Sequence, residues 1–387
     1  MTVLNAQQIQ MHITGVTLMV SDSVKVKIDG NFRLFTTAQI DNDGLIEIGG
    51  YFINSGTSDC FINRNNKGEL LLKRTTTPTF ISGNVPLYFE KLTLNNPQGI
   101  DYGNDIFIEN ELEFINGKLY SPNDFVTILN HNGNAIIGAN DTRYIVGKMR
   151  QYTIDNQYYD FPIGSQNDYE PATLSIHSTG TSNFIEAEFI AETIAATNLI
   201  LDSTNITTFL NSGFWRFGNP TANEVFFDVA TTSNGHTNGG NTAAEHALFR
   251  RTNGTWENTG IHNNATQFGN LNNAITAKRS DVQGLGDFII GRGEYMVATN
   301  PFLHDNFKFI NAFQLSSDLD IEFIGLENMD YQVHLIDLNG RIIETQKANN
   351  FSTSKHVNFD VSNLNTNIYI LAISTVDFLF TKQIFIN

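Results

Sequence analysis

Between residues 13 and 130 short apolar runs alternate with polar breaks: Val24-Lys25-Val26-Lys27-Ile28, Leu45-Ile46-Glu47-Ile48, Leu70-Leu71-Leu72, Leu92-Thr93-Leu94, Ile106-Phe107-Ile108 and Leu112-Glu113-Phe114-Ile115. A period of two places alternate side chains on opposite faces, so these runs predict strands with one buried face. Their starts fall about 20 residues apart or at half-units, with Gly30, Gly44, Gly68, Gly99 and Gly117 between them. A strand rising about 3.3 Å per residue and returning at this interval fits one coil of a parallel β-helix. Such a coil buries its inward face only against the next, so several must stack. A meander of antiparallel hairpins uses the same strands and turns and stands as the alternative. No two-residue Asn-Gly link joins clean strands in the first hundred residues, which favours coils.

The pattern changes after residue 150. Pro162 and Pro171, in Tyr159-Asp160-Phe161-Pro162-Ile163-Gly164 and Tyr169-Glu170-Pro171-Ala172-Thr173-Leu174, each lack a backbone donor and suit a junction better than a central strand. Strands are predicted at 172–176, 185–190, 214–217, 225–229, 247–251, 287–291 and 295–298, with Trp215 and Trp256 available for a core. That spacing predicts an antiparallel β-sandwich. The Gly/Asn/Thr-rich segment 231–246 reads as a long exposed loop. Nearer the C-terminus, Tyr331-Gln332-Val333-His334-Leu335-Ile336-Asp337 alternates, Asn339-Gly340 follows, and Arg341-Ile342-Ile343-Glu344 resumes extended character. Asn-Gly supplies the positive φ of a type I′ turn, so this is the strongest hairpin signal in the chain. Val357-Asn358-Phe359-Asp360-Val361 is a further alternating strand. Ile368-Tyr369-Ile370-Leu371-Ala372-Ile373 is apolar throughout, as in a strand covered on both faces, and the segment from Phe380 to Ile386 is the last strand.

Composition sharpens this picture. The 387 residues exceed what one core usually serves, and the boundaries read as 1–150, 151–305 and 306–387. Charged residues make up 16%, so Asn, Thr, Ser and Gly carry the polar share, and 30 Phe and 12 Tyr against two Trp favour pleated, half-buried surfaces. A net charge of −17 repels phosphate backbones and anionic lipids, which excludes nucleic acid as a partner. No apolar run reaches the roughly 18 residues of a membrane span. The lone Cys60 forms no internal disulfide and reads as a structural thiol. Leu4-Asn5-Ala6-Gln7-Gln8 has the small-residue character of a signal-peptide junction, although the basic start and apolar core of a complete signal peptide are absent before it.

Chemistry is sparse. Nine histidines include no His-Glu-x-x-His pair, and Glu245-His246 with His236 and His262 is the nearest cluster, read as solvated loop residues. Asp41-Asn42-Asp43-Gly44 shares the opening of a calcium loop, but a strand follows where further ligands belong, so it reads as a coil turn. Gly284-x-Gly286 precedes a strand, the wrong order for a dinucleotide fold, and neither a nucleophile elbow nor a phosphate-binding loop is present. No catalytic residue, metal or cofactor is assigned. A glycosidase carboxylate pair formed between coils stays open, and Tyr51, Phe52, Tyr88 and Phe107 divide between core packing and sugar stacking.

Two resemblances add to these readings. Residues from Phe89 to Ile100 and Phe114-Ile115-Asn116-Gly117-Lys118-Leu119, with Trp215-Arg216-Phe217, Trp256-x-x-x-Gly260 and Gly286-Asp287-Phe288-Ile289-Ile290-Gly291, resemble surface proteins of bacteroidetes. Leu335-Ile336-Asp337-Leu338-Asn339-Gly340-Arg341, Leu364-x-x-x-Ile368-Tyr369-Ile370-Leu371 and Thr381-Lys382-Gln383-Ile384-Phe385-Ile386 resemble the type A C-terminal sorting domain of the bacteroidete type IX secretion system. Asn367 stands where that family usually has Gly, and its opening Asn-Pro pair is missing near 309–317. The resemblance implies a small Ig-like sandwich, recognition by the type IX secretion machinery, and a secreted or outer-membrane-associated location. It singles out Asp337, Asn339, Gly340, Arg341, Ile368, Tyr369 and Lys382 as the sorting motif. The resulting expectation is an all-β chain of solenoid, antiparallel sandwich and Ig-like sandwich. Its leading function is adhesin-like or structural, with a surface polysaccharide or a host or matrix ligand as partner. The alternatives are an extracellular polysaccharide lyase or hydrolase and a carbohydrate-binding protein.

Overall fold

The structure is a computed structural model describing residues 10–65, 67–195, 199–201, 204–237, 246–252, 254–267, 274–295, 308–315, 317–324, 331–338, 341–348, 354–374 and 379–386. It divides into two compact units, 1–295 and 296–387. The signal-peptide-like stretch at 4–8, and residues 296–298 of the strand expected at 295–298, lie outside the described residues.

The first unit opens as a β-solenoid of about seven turns. Its first coil is β1 (Gln10–Thr14), β2 (Thr17–Val20) and β3 (Lys25–Ile28). The second is β4 (Asn31–Thr36), β5 (Gln39–Asn42) and β6 (Leu45–Ile48), and the third β7 (Phe52–Gly56), β8 (Phe61–Ile62) and β9 (Glu69–Lys73). In the next two coils a pair of faces merges into one strand: β10 (Thr79–Gly83) with β11 (Leu87–Asn95), then β12 (Ile100–Tyr102) with β13 (Ile106–Asn116). The stack ends in β14 (Leu119–Ile128), β15 (Ile136–Ile137) and β16 (Ile145–Tyr152).

All pairing between these coils is parallel, which resolves the hairpin alternative in favour of coils. Register is held by columns of like side chains. Val26, Ile46, Leu70, Leu92, Leu112 and Ile136 follow one another up one face, and Ile28, Ile48, Leu72, Leu94 and Phe114 form the column beside it. Ile46, Leu92 and Leu112 have no exposed surface, and each such side chain contributes about 1.5–3 kcal/mol by leaving water. Outward columns carry charge: Lys25 Nζ lies 2.5 Å from Glu47, and Lys91 lies 2.7 Å from Glu111 and 2.8 Å from Glu113.

The corners explain the Asn-rich composition. A corner stacked on another corner is cut off from water, so its carbonyls need partners inside the protein. Side-chain amides supply them one coil away: Asn104 Nδ2 donates to Gly83 O, Asn130 Nδ2 to Asn110 O, and Gln151 Nε2 to Asn130 O. Gly117 shows the tightness of this stacking, for its φ is +83° and a Cβ there would meet Asn96 O at 1.8 Å.

The rest of the unit is antiparallel: β17 (Gln157–Phe161), β18 (Ala172–Ser178), β19 (Phe184–Ile190), β20 (Leu199–Leu201), β21 (Thr204–Phe209), β22 (Phe214–Gly218), β23 (Phe226–Ser233), β24 (His246–Arg251), β25 (Trp256–Glu257), β26 (Ile261–Gln267), β27 (Ile275–Gln283) and β28 (Asp287–Tyr295). Two sheets form. The solenoid sheet continues directly, because β16 pairs antiparallel with β19 and the ladder runs on through β22, β28, β24 and β25, with β20 and β21 against the far end of β28. The second sheet has the order β17-β18-β23-β27-β26. Rings close the core between them, Phe161 on Phe217 at 5.6 Å and Phe227 on Phe288 at 6.1 Å.

Several expectations are corrected here. Trp215 lies in the sandwich core, its Nε1 donating to Glu170 O at 2.8 Å, but Trp256 belongs to a separate cluster with Phe209, Phe214, Phe249 and Ile289. Segment 231–246 is not wholly loop: Thr231 and Ser233 are the buried end of β23 and His246 the buried start of β24, because strand pairing outweighs the turn-rich composition at both ends. Strand β27 was missed, since Lys278, Arg279, Ser280 and Asp281 interrupt its apolar alternation.

The second unit has β29 (Lys308–Leu315), β30 (Asp318–Ile324), β31 (Tyr331–Ile336), β32 (Ile342–Ala348), β33 (Ser354–Asp360), β34 (Asn367–Ser374) and β35 (Leu379–Ile386). They form sheets of order β29-β30-β33 and β32-β31-β34-β35, the two-sheet, seven-strand arrangement of Ig-like sandwiches. Leu319, Ile321 and Phe323 meet Val333, Leu335, Leu371 and Ile373 in its core. The reading of β34 as covered on both faces is corrected: Leu371 and Ile373 are buried, whereas Ile370 is half-buried and Ile368 is 41% exposed. Its apolar outer positions face away from the core.

Candidate functional site

The continuous sheet that carries the solenoid into the sandwich presents its outer face as two rows of side chains. Strand registers place Phe125, Lys148, Glu188, Arg216, Asp287, Arg251 and Trp256 side by side across seven strands. At about 4.8 Å per strand the row is about 29 Å long. A second row sets Tyr88, Phe107, Thr127, Arg150, Glu186 and Gly218 alongside. Signs alternate along the first row and the second carries the Arg150–Glu186 pair, as opposite charges across a ladder are favoured and like charges are not.

The fixed parts are well defined. Arg216 Nε and Arg251 Nη2 each lie 2.8 Å from the Asp287 carboxylate. Arg251 also covers Trp256 at 4.5 Å and Phe214 at 5.1 Å. Arg150 reaches Glu186 at 2.5 Å and is sandwiched between Phe125 at 4.5 Å and Phe184 at 4.8 Å. Between these anchors opens a cavity of about 250 Å³ lined by Phe125, Lys148, Glu186, Glu188, Arg216 and Gly218. The Arg216 side chain is half exposed there, and a Cβ at Gly218 would meet nothing within 4 Å, so the absent side chain leaves the floor open. Such a groove offers an aromatic edge, paired donors and acceptors, and nearly balanced charge.

None of these residues except the aromatics Tyr88 and Phe107 was singled out as a site from sequence. Tyr88 and Phe107 stack at 4.5 Å with planes 10° apart, half-buried on the solenoid's outer face, with Arg64 over Tyr88 at 5.0 Å. Tyr51 is half-buried against Phe80, and Phe52 is wholly in the core. The histidines do not form the loop cluster. His246 and His236 are buried, His262 sits on β26 of the other sheet, and Glu245 lies outside the described residues. Burial follows from the strand pairing of His246 with Arg292. Cys60 is buried, and burial pushes its thiol far above the ordinary value. Asp41-Asn42-Asp43-Gly44 is the corner between β5 and β6, and Asn42 Oδ1 accepts the Gly44 N–H at 3.2 Å.

A buried carboxyl also marks the sandwich. Glu170 accepts N–H groups of Gly235 at 2.7 Å and Asn234 at 3.1 Å, and burial pushes it up to about 8 against the pull of those bonds. It anchors the segment after β23.

In the second unit the motif residues separate into a hairpin and a corner. Asp337 N–H donates to Arg341 O at 2.9 Å, its Oδ1 accepts the Arg341 N–H at 2.9 Å, and its Oδ2 takes the guanidinium at 3.2 Å. Asn339 and Gly340 lie outside the described residues. Tyr369 is 7% exposed, and its hydroxyl donates to Asn365 O at 3.0 Å, the tyrosine corner that ties the entry of this strand in Ig-like folds. Ile368 and Lys382 are exposed, Ile368 opposite Phe385 and Lys382 opposite Leu371 in the register of β34 with β35.

No helix among the described residues is long and apolar enough to cross a membrane. No curated protein and no solved structure matches the chain. The family model of the secretion system C-terminal sorting domain matches residues 315–387. The second sandwich is therefore a type IX secretion sorting domain, and it marks the chain for export to the cell surface or the extracellular space.

Proposed function

We propose that this is an adhesin-like surface protein whose exported part binds a neutral polysaccharide along the charged and aromatic rows of the continuous sheet. The carrying observation is the row from Phe125 to Trp256 with its 250 Å³ groove. A linear glycan alternates apolar ring faces with hydroxyl edges, which matches an aromatic end wall beside paired Lys, Glu and Arg groups. The near-balance of charge in the groove favours a neutral chain over an anionic one. In this reading residues 1–150 form the solenoid, 151–305 the binding sandwich, and 306–387 the sorting module.

For sorting itself, Asp337, Arg341 and Tyr369 keep the hairpin and corner folded. Exposed Ile368 and Lys382 are the side chains offered to the secretion machinery, together with the Asn339-Gly340 pair of the motif.

The enzyme alternative has one observation in its favour, the neighbouring carboxylates Glu186 and Glu188 in the groove. Glu186 is already engaged by Arg150 at 2.5 Å, which suits a fixed binding surface better than a proton donor. Purified chain should retain neutral glycans on an array, and Phe125→Ala or Arg216→Ala should weaken that binding at least tenfold. No retained glycan, or binding indifferent to both substitutions, would remove this reading. Release of new reducing ends, lost in Glu188→Gln, would establish the enzyme in its place.

A further inference from the structure

The outer face of the other sandwich sheet brings three metal-ligating side chains together from three adjacent strands. His177 on β18, Asp228 on β23 and Asp281 on β27 offer donor atoms all within 4.8 Å of one another, the one such group among the described residues. Two irregularities in the ladder create this meeting. The β18–β23 register slips between Ile176 and Ser178, leaving His177 as an extra residue on its strand. The β23–β27 register slips between Phe227 and Val229, setting both Ser280 and Asp281 against Asp228. Bulges of this kind re-aim a side chain that regular pairing would carry past its neighbour.

The donors stand close enough to share one ion. His177 Nε2 lies 3.0 Å from Asp228 Oδ1, yet it is enclosed and makes no hydrogen bond. At that distance direction alone denies the bond, which leaves the enclosed Nε2 without a hydrogen bond of its own inside the cluster. Two ligands at the tetrahedral angle about zinc, each bonded at about 2.1 Å, stand about 3.4 Å apart, so His177 and Asp228 at 3.0 Å need only a small outward adjustment to close on an ion. The Asp281 N–H donates to Asp228 Oδ1 at 2.9 Å and fixes the carboxylate, while Phe226 packs on the imidazole at 5.0 Å and fixes the ring.

We propose that His177, Asp228 and Asp281 bind a divalent transition-metal ion of the zinc class. One imidazole and two carboxylates form a borderline donor set, softer than calcium prefers. Asp228 also lines a groove of about 490 Å³ with Tyr158, Ser175, Asn263 and Lys278, and a zinc site with three protein ligands keeps its fourth position for water or a ligand oxygen. This site is on the sheet opposite the glycan-binding rows and stands independently of them.

The test is calorimetric titration of the chelator-stripped full chain with Zn²⁺, and with Co²⁺ read by its visible absorption. One ion per chain is expected, with His177→Ala and Asp281→Asn each weakening binding at least tenfold and altering the Co²⁺ spectrum. Asp281 is exposed, so Asp281→Asn should leave the metal-free melting temperature unchanged and separate lost ligation from lost folding. Substoichiometric binding, binding of Ca²⁺ alone, or Zn²⁺ binding unchanged in both variants would overturn the assignment. The last result would leave His177 and Asp228 as a plain ion pair.

Discussion

The two compact units bury polar groups on different principles. In the first, Asn42, Asn54, Glu90, Asn96, Gln151, Glu170, His246 and Arg279 are all buried, whereas the described residues of the second bury one charged or polar side chain, Lys355. For the solenoid residues among these, Asn42, Asn54, Glu90, Asn96 and Gln151, the difference follows from what lies over each turn. A solenoid corner is covered by the next corner, so its backbone must be satisfied by side chains from one coil away, as Gln151 does for Asn130. In the second unit the described turn before β34 is held by a local tie, Tyr369 to Asn365. Repetition thus makes polar burial unavoidable in the solenoid, whereas Glu170, His246 and Arg279 are buried in the antiparallel part that follows it.

The strongest way to sharpen this contrast is pH. Glu170 has an ordinary value of 4.5 but is pushed up to about 8 in the fold, so the folded chain holds its proton more tightly than the unfolded one. The resulting stability is complete below pH 4.5 and is lost as pH rises through about 8. Within that window the first unit should lose about 1.4 kcal/mol per pH unit from this group. Glu170→Gln should flatten that slope, measured as the difference in urea midpoints between variant and parent at several pH values. An unchanged slope would show that the carboxyl is ionised in the fold.

A smaller effect breaks the repetition itself. Leu92 sits mid-column between Leu70 and Leu112 with no exposed surface. Leu92→Ala should cost about 3 kcal/mol, because the neighbouring coils are held by their own pairing and cannot close the space. Urea unfolding followed by tyrosine fluorescence would measure it, and a loss below 1 kcal/mol would mean that the coils relax as independent units. The least effect belongs to the corner of the second unit. Tyr369→Phe deletes one hydroxyl bond at constant shape and should cost about 1 kcal/mol, read as faster proteolytic nicking of the tail in the full chain. Equal protease resistance would show that the packing of the ring alone fixes the strand entry.

How much of this was legible differs along the chain. Apolar alternation in Leu45-Ile46-Glu47-Ile48 and its successors marks strands, since a period of two has few other uses, and the motif from Leu335 to Arg341 marks the sorting module. The charged and aromatic rows were not legible. Lys148, Glu188, Arg216 and Asp287 lie on four strands, and nothing in their spacing announces that β16 turns from parallel to antiparallel pairing at that point. His177 and Asp281 were hidden for a related reason, because a one-residue slip in register is invisible until both partners are known.

Local chemistry written into the chain decided which segments would be extended, where they would turn, and that Asn and Gly would fill the corners. Those choices rest on side-chain volume, backbone freedom and alternation, all properties of neighbours in sequence. Tertiary structure alone decided which strands lie side by side, and hence which charges meet across the sheet. Pairing partners are chosen by burial of whole faces at once, a cooperative quantity that no single segment contains.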